Sequence, residues 1–186
     1  MKKIAFVTGM TGQDGPYLAK HLLEKDYKVY GLVKRYSNPN LSNLTYLGIE
    51  NDVELITGDI TDDANMNHLV RTIRPNEFYN LAAQSFVGAS WDLNKQTTEV
   101  NAMGVLNILN AIVNQNPLTR FYQASTSELY GNSNVNGLQN EQTPFQPRSP
   151  YGVSKLYAYW MTVNFRESYS IHASNGILFN HESPIR

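Results

Sequence analysis

Short apolar runs alternate with longer amphipathic segments along most of the chain. The apolar runs have the length of buried β-strands and predict six of them, at residues 4–8, 29–33, 54–57, 78–82, 121–125 and 173–179. Segments in which apolar positions recur every three or four residues predict four helices, at residues 17–24, 62–74, 97–114 and 151–169. Because parallel strands need a crossover that is usually a helix, this alternation predicts a parallel sheet with helices on both faces.

The length of the chain sets the number of domains. With 186 residues, 41% of them hydrophobic, the chain has the size of one globular domain. We therefore assign residues 1–186 to one α/β domain of the Rossmann type, a doubly wound parallel sheet flanked by helices. Residues 132–148 are rich in Asn, Gln, Gly and Pro and have no periodicity, so we expect a loop there.

Charge and cysteine content exclude several classes of protein. Fifteen basic and sixteen acidic residues leave a net charge of -1, so no large field would attract nucleic acid or an anionic membrane. The chain has no cysteine, which excludes a disulfide scaffold, a thiolate metal site and a cysteine nucleophile. The apolar run near the N-terminus is too short for a signal peptide, and no other run could span a bilayer. We therefore expect a cytoplasmic protein with no metal, nucleic-acid or membrane partner.

Three glycines follow the first predicted strand with the spacing G-x-x-G-x-x-G. In this position Gly9 permits a tight turn, Gly12 lets the backbone approach a pyrophosphate, and Gly15 lets the next helix pack against the strand. The N-terminus of that helix offers amide donors to the phosphates. Glycines are also common in ordinary loops, so a loop without a ligand is the alternative at this point. The predicted cofactor contacts of this turn are Gly9, Thr11, Gly12, Gln13, Asp14 and Gly15.

Basic residues follow the second predicted strand, where an NAD site would carry a carboxylate for the ribose 2′-hydroxyl. Arg35 lies 20 residues after the last glycine of the turn and is preceded by Lys34. A guanidinium can bind a 2′-phosphate through two parallel hydrogen bonds, so we predict NADP as the cofactor, with Arg35 and Ser37 in contact with it. A solvated basic turn is the alternative. Asp59 and Ile60, after the third strand, are predicted to flank the adenine, although Asp is also common in turns.

A tyrosine and a lysine four residues apart open the last predicted helix. Tyr151 and Lys155 would share one helix face, one turn apart. A free tyrosine has a pKa near 10, and a cation about 4 Å away is worth roughly 4 kcal/mol at an effective dielectric near 20. We therefore expect Lys155 to lower the pKa of Tyr151 enough for it to act as a base, and to bind the nicotinamide ribose. The Y-x-x-x-K spacing by itself is common on helix surfaces.

Polar residues follow the fifth predicted strand, at the edge where open sheets bind ligands. Thr126 can donate a hydrogen bond to the reacting oxygen, and Glu128 can act as a general base for a carbon acid. An ordinary polar turn with an exposed Glu is the alternative for this segment alone. Together with the glycine turn and Tyr151/Lys155, the segment predicts a catalytic site made of Thr126, Glu128, Tyr151 and Lys155.

Motifs along the whole chain resemble those of the extended short-chain dehydrogenase family, and within it those of the GDP-mannose 4,6-dehydratases. The segments that carry this resemblance are residues 9–15, 80–85, 123–131, 148–169 and 176–184. The resemblance implies that Thr126, Glu128 and Tyr151 are catalytic. It implies cofactor contacts from Leu81, Ala82, Ala83, Gln84, Ser85, Lys155, His181 and Arg186. Two departures are Gln96, where relatives tend to have a cofactor-contacting tyrosine, and Tyr36, in a loop that is often basic or serine-rich.

The resemblance also implies a reaction and partners. The expected substrate is a nucleotide sugar, GDP-mannose, and the expected product is GDP-4-keto-6-deoxymannose. Pairing of the two long helices implies a homodimer or homotetramer. The sequence stops at Arg186, directly after a strand, so we expect a C-terminal substrate-binding domain to be missing from it. The alternatives are an epimerase or reductase of the same family, whose members tend to lack a carboxylate at the position of Glu128, and a non-catalytic NADP-binding fragment.

Overall fold

Six parallel strands form a single sheet in the computed structural model, which describes residues 2–34, 39–133 and 137–186. The strands are β1 (Ile4–Thr8), β2 (Lys28–Val33), β3 (Glu54–Thr57), β4 (Glu77–Asn80), β5 (Arg120–Thr126) and β6 (Ala173–Leu178). Their order across the sheet is β3-β2-β1-β4-β5-β6. The chain winds outward in one direction from β1 and then in the other from β4. This doubly wound order confirms the predicted Rossmann-type fold.

Helices cover both faces of the sheet. They are α1 (Asp14–Glu24), α2 (Ser42–Leu47), α3 (Asp63–Ile73), α4 (Asn94–Thr98), α5 (Gly104–Gln115) and α6 (Pro150–Tyr169). The sequence explains the start of α6, because the Ser149 side chain accepts a hydrogen bond from the Gly152 amide and Pro150 occupies the first turn. None of the helices in the described ranges is long and apolar enough to cross a membrane.

The third predicted helix, at residues 97–114, is not one regular helix. It is α4, a π-helical turn at Glu99–Met103, and then α5. The π turn directs the Asn101 side chain inward, where it exchanges two hydrogen bonds with the backbone of Gln84. The spacing of apolar residues alone cannot reveal that one helical turn contains an extra residue. The sequence interpretation also missed α2, which has only six residues and ends at Gly48 in the left-handed conformation.

Strand β4 ends two residues earlier than predicted, at Asn80 rather than at residue 82. The reason is a side chain of the neighbouring strand. The amides of Leu81 and Ala82 both donate to Thr8 Oγ1, at 3.1 Å each, and so leave the strand ladder. The loop after β4 is thereby tied to the end of β1 and to the glycine turn that follows it.

Two apolar layers hold the helices on the sheet. One lies under α3, α5 and α6, and the other under α1 and α2. The first layer is centred on three fully buried rings from adjacent strands, Phe6, Phe78 and Phe121, with centroids 4.9 and 6.0 Å apart. Burial of such rings contributes about 1.5–3 kcal/mol each. The layers fix the carboxyl ends of the strands, where the polar residues converge.

Candidate cofactor cleft and catalytic site

The glycine turn has the geometry that close approach to a ligand requires. Gly9 has a φ of 71°, and a Cβ there would lie 2.8 Å from the backbone carbon of Leu81. A Cβ on Gly15 would lie 2.5 Å from the carbonyl oxygen of Gly9. Both positions therefore exclude any side chain, because the obstructing atoms are backbone. The turn is closed by a hydrogen bond from the Gly12 amide to the Gly9 carbonyl at 3.0 Å.

Helix α1 begins at this turn with free amide groups. The residue before it, Gln13, makes no side-chain capping bond. The first amides of the helix are therefore available to an anion, and the helix dipole favours negative charge there. Asp14 stands in the same turn, but its carboxylate is engaged by His181 Nε2 at 2.8 Å. That contact and a bond to the Phe179 carbonyl raise the pKa of His181, with the backbone bond as the larger cause.

A cleft of about 490 Å³ opens at the carboxyl ends of β1, β2, β3 and β4. It lies at the point where the strand order reverses, which is where open α/β sheets bind ligands. Its lining contains every predicted cofactor residue of the glycine turn, of the end of β3 and of the loop after β4: Gly9, Thr11, Gly12, Gln13, Asp14, Gly15, Asp59, Ile60, Leu81, Ala82, Ala83, Gln84 and Ser85. These segments are distant in sequence, and the sheet brings them together.

The cleft also has walls that the sequence interpretation did not include. Lys34 borders it, with Nζ 3.8 Å from Asp59 Oδ2. Gln96 borders it as well, although its departure from the family pattern had kept it out of the predicted site. Asn101 does not border the cleft but holds Gln84, and the only sequence signal for it is a polar residue in an otherwise apolar helix stretch. The predicted contacts Arg35 and Ser37 lie outside the described residues.

Two predicted cofactor contacts do not border the cleft. His181 lines a smaller, mostly apolar pocket with Tyr79, Tyr122 and Asp14. Arg186 donates to the His181 carbonyl at 2.9 Å and forms an ion pair with Glu182. Both residues therefore lie beside the start of α1, and Asp14 is the link between them and the cleft.

The predicted catalytic residues meet where β5 ends and α6 begins. Thr126 is the last residue of β5, and its hydroxyl accepts a hydrogen bond from the Glu128 amide at 3.2 Å. The start of α6 packs closely on this turn, because a Cβ on Gly152 would lie 3.0 Å from the Glu128 carbonyl oxygen. Tyr151 is buried there, close enough to Thr126 for that side chain to influence its pKa. Glu128 is half-buried beside them.

The pKa of Tyr151 is raised, which is opposite to the predicted direction. Burial is the main cause, the interaction with the Thr126 side chain opposes it, and the charge of Glu128 adds to it. The physical reason is the position of Lys155. Its Nζ donates to the Ala124 carbonyl at 2.9 Å and lies 5.9 Å from the centroid of the Tyr151 ring, and its charge does not offset the effect of burial on the tyrosine.

Lys155 itself is almost completely buried. Only 3% of it is exposed, and burial lowers its pKa from 10.5 to about 8. A buried ammonium is costly unless it is hydrogen-bonded, so its position is tied to the carbonyl that it contacts. Such an arrangement is frequent at functional sites, because a lowered lysine pKa keeps both proton states accessible near neutral pH.

Comparisons with known proteins agree with this geometry. A family model described as GDP-mannose 4,6 dehydratase matches residues 6–186. The chain is 53% identical over 195 residues to the GDP-mannose 4,6-dehydratase of Yersinia enterocolitica, covering 100% of this chain and 51% of that protein. It is 50% identical over 192 residues to the GDP-mannose 4,6 dehydratase of Drosophila melanogaster, covering 99% of this chain and 48% of that protein.

Solved structures share the fold. The dTDP-glucose 4,6-dehydratase DesIV from Streptomyces venezuelae, with NAD bound, has a TM-score of 0.83 and 26% identity, over 98% of this chain and 57% of its own. The chain spans about half the length of the curated relatives that it matches. On the sequence match over residues 6–186, the chain belongs to the GDP-mannose 4,6-dehydratase family.

Proposed function

We propose that the chain forms the cofactor-binding and catalytic part of a GDP-mannose 4,6-dehydratase, which converts GDP-mannose to GDP-4-keto-6-deoxymannose. The observation that carries this proposal is the cluster of Thr126, Glu128 and Tyr151 at the end of β5. A tyrosine alone would serve a simple oxidation or an epimerisation. The half-buried carboxylate beside it supplies the second base that an elimination needs.

The residues divide the reaction between them. Thr126 holds the C4 oxygen of the hexose, and Tyr151 receives the proton of the C4 hydroxyl. The new 4-keto group acidifies C5, Glu128 removes the C5 proton and passes it to the C6 hydroxyl, and that hydroxyl leaves as water. A bound NADP+ would supply the hydride acceptor, so that oxidation at C4 and reduction at C6 use one cofactor. Because burial raises the pKa of Tyr151, its role as a base requires Lys155 to act on it more strongly once the site is filled.

We propose NADP rather than NAD as the cofactor. Lys34 on the wall of the cleft supports this, together with Arg35 next to it in the sequence and the lack of Asp or Glu between β2 and residue 41. Such cations stabilise a bound 2′-phosphate through charge-assisted hydrogen bonds, whereas a carboxylate at this position would repel it.

Calorimetry with NADP(H) and NAD(H) tests this choice. We expect tighter binding of NADP(H), and a reversed order in Arg35→Asp. Lys20→Asp, on the exposed side of α1, is the control for a mere change of charge. Equal affinity of the unmodified protein for both cofactors would refute the choice of NADP.

The assignment of the two bases is tested in the full-length protein. Glu128→Gln should block dehydration and exchange of the C5 proton with solvent, whereas Tyr151→Phe should block the earlier oxidation at C4. Glu141→Gln, an exposed carboxylate in the loop before α6, is the matched control. If Glu128→Gln releases the 4-keto-6-deoxy product at the normal rate, the carboxylate is not the base. Release of a C4 epimer instead would favour the epimerase alternative.

We also propose that the 186 residues alone bind the dinucleotide but turn over little GDP-mannose. The cleft supports binding of the dinucleotide. Low turnover is supported by the match of this chain to only about half the length of its curated relatives. Contacts with the nucleotide part of a substrate position its reacting atoms, and positioning accounts for several orders of magnitude in rate. Turnover by this chain that equals that of the full-length protein would contradict the proposal.

Self-association through α6 is the third part of the proposal. Val153, Tyr157 and Trp160 follow one another at helical spacing and are 57%, 38% and 51% exposed, which leaves an apolar stripe on this helix. By contrast, most apolar residues of α5 are buried in the core. We expect a homodimer or homotetramer in sedimentation, and Trp160→Glu should dissociate it. A monomer at high micromolar concentration would overturn this part.

A further inference from the structure

A buried chain of polar side chains connects the wall of the cleft with Lys155. Thr8 Oγ1 donates to Asn80 Oδ1 at 2.6 Å, Asn80 Nδ2 donates to Gln123 Oε1 at 2.8 Å, and Gln123 Nε2 donates to the Ala124 carbonyl at 2.9 Å. Thr8, Asn80 and Gln123 are 0%, 0% and 1% exposed. Such groups cost free energy unless they are fully hydrogen-bonded, so three of them in a row need a specific reason.

The donor-to-acceptor direction of these hydrogen bonds is set at the cleft. A threonine hydroxyl has one donor and two acceptor positions. The amides of Leu81 and Ala82 fill the acceptor positions of Thr8, so its proton must go to Asn80. Asn80 is thereby oriented with its amino group toward Gln123, which in turn points its own amino group at the next carbonyl. The position of each amide follows from the one before it.

This series of hydrogen bonds ends on the carbonyl oxygen that also accepts from Lys155. Ala124 lies one residue beyond the pairing of β4 with β5, which stops at Asn80 and Gln123. Its carbonyl oxygen receives both Gln123 Nε2 and Lys155 Nζ, each at 2.9 Å. A carbonyl oxygen has two lone pairs. Because Gln123 occupies one of them, the ammonium of Lys155 is restricted to the other.

We propose that Gln123 is a positioning residue that, together with Asn80 and Thr8, fixes the ammonium of Lys155 relative to the cofactor cleft. The proposal rests on the proposed function in one respect, namely that Lys155 binds the ribose of the cofactor. Gln123 touches neither substrate nor cofactor and acts only through the shared carbonyl. The same chain ties the loop at Leu81 and Ala82, which lines the cleft, to the lysine on α6.

A double-mutant cycle on cofactor affinity separates positioning from a general loss of stability. Gln123→Met keeps the size of the side chain and removes its donor. We expect it to weaken NADP(H) binding roughly tenfold, as the misplacement of one buried hydrogen bond would. In a Lys155→Met background the same substitution should have no further effect. A tenfold loss that persists without the lysine would show that Gln123 has only a structural role, and an unchanged affinity in Gln123→Met would also overturn the proposal.

The sheet offers a matched control at its opposite end. The Pro75 carbonyl also receives two buried side-chain donors, Asn116 Nδ2 at 3.0 Å and Thr119 Oγ1 at 2.8 Å. Asn116→Leu therefore removes one of two donors from a buried carbonyl, as Gln123→Met does. We expect this control to lower the melting temperature without a change in the affinity for NADP(H).

A titration of Lys155 by NMR tests, without a cofactor, whether Gln123 acts on the ammonium of Lys155. With Gln123→Met the carbonyl serves the ammonium alone, so we expect the pKa of Lys155 to rise above that of the unmodified protein, and to stay unchanged in Asn116→Leu. Tyr151 on the same helix, and Glu128 beside Tyr151 on the turn after β5, are the same in both variants. An unchanged pKa in Gln123→Met would overturn the proposal. If instead Lys155→Met leaves the affinity for NADP(H) intact while this shift occurs, the positioning stands and the ribose contact fails.

Discussion

The buried ammonium of Lys155 should make the stability of the domain rise with pH above neutrality. Burial lowers its pKa from 10.5 to about 8, and only 3% of the residue is exposed. Between these two values the unfolded chain binds more protons than the folded one. The free energy of unfolding therefore increases as the pH rises through this window, and below pH 8 the folded protein bears the full cost of the buried charge. Lys155→Met removes this cost together with its pH dependence.

The magnitude follows from the two pKa values. A difference of one pKa unit corresponds to about 1.36 kcal/mol. With a folded value of about 8 and an unfolded value of 10.5, the contribution of Lys155 to the free energy of unfolding rises, relative to pH 7, by roughly 1 kcal/mol at pH 9 and by roughly 2–3 kcal/mol at pH 10. This is a large part of the 5–15 kcal/mol, roughly, that stabilises an ordinary domain.

Urea unfolding at several pH values between 7 and 10 measures this contribution as the difference between the unmodified protein and Lys155→Met. The tyrosines outside this site affect both proteins alike, and burial raises the pKa of Tyr151. Lys20→Met, which removes an exposed lysine of α1, should give a flat difference curve. A flat curve for Lys155→Met as well would refute the conclusion that burial governs this lysine.

Three further predictions concern the turn, the site and the core. Gly15→Ala should abolish binding of the dinucleotide and destabilise the fold by roughly several kcal/mol, because the added Cβ would lie 2.5 Å from the Gly9 carbonyl oxygen. Calorimetry measures the binding and urea unfolding the stability, and normal binding would contradict the geometry. Glu128→Gln should lower the pKa of Tyr151, since the carboxylate charge raises it; an ultraviolet phenolate titration should show this, and a higher value would reverse the assignment. Phe78→Ala should cost about 3–5 kcal/mol in urea unfolding, and a loss below about 1 kcal/mol would mean that the ring is not the centre of the core.

Periodicity was sufficient to predict the strands and most of the helices, because burial repeats along a strand or helix in a way that the residue types record. It failed where individual hydrogen bonds decide the structure. The π turn at Glu99–Met103 differs from an α-helix by one hydrogen-bond step, and β4 stops at Asn80 because Thr8 takes up the next two amides. Neither event changes the pattern of apolar residues.

By itself, the sequence determined the Rossmann-type fold, the glycine turn and most of the residues that the cleft and the end of β5 bring together. The reason is that these depend on residue types at fixed local spacing, such as the need for glycine at Gly9. Only the tertiary structure decided how the side chains act on one another. It buried Lys155 against the Ala124 carbonyl and buried Tyr151 near the charge of Glu128, and so reversed the predicted direction of the tyrosine pKa. Desolvation and hydrogen bonding depend on the three-dimensional surroundings of a group, and helix spacing does not contain that information.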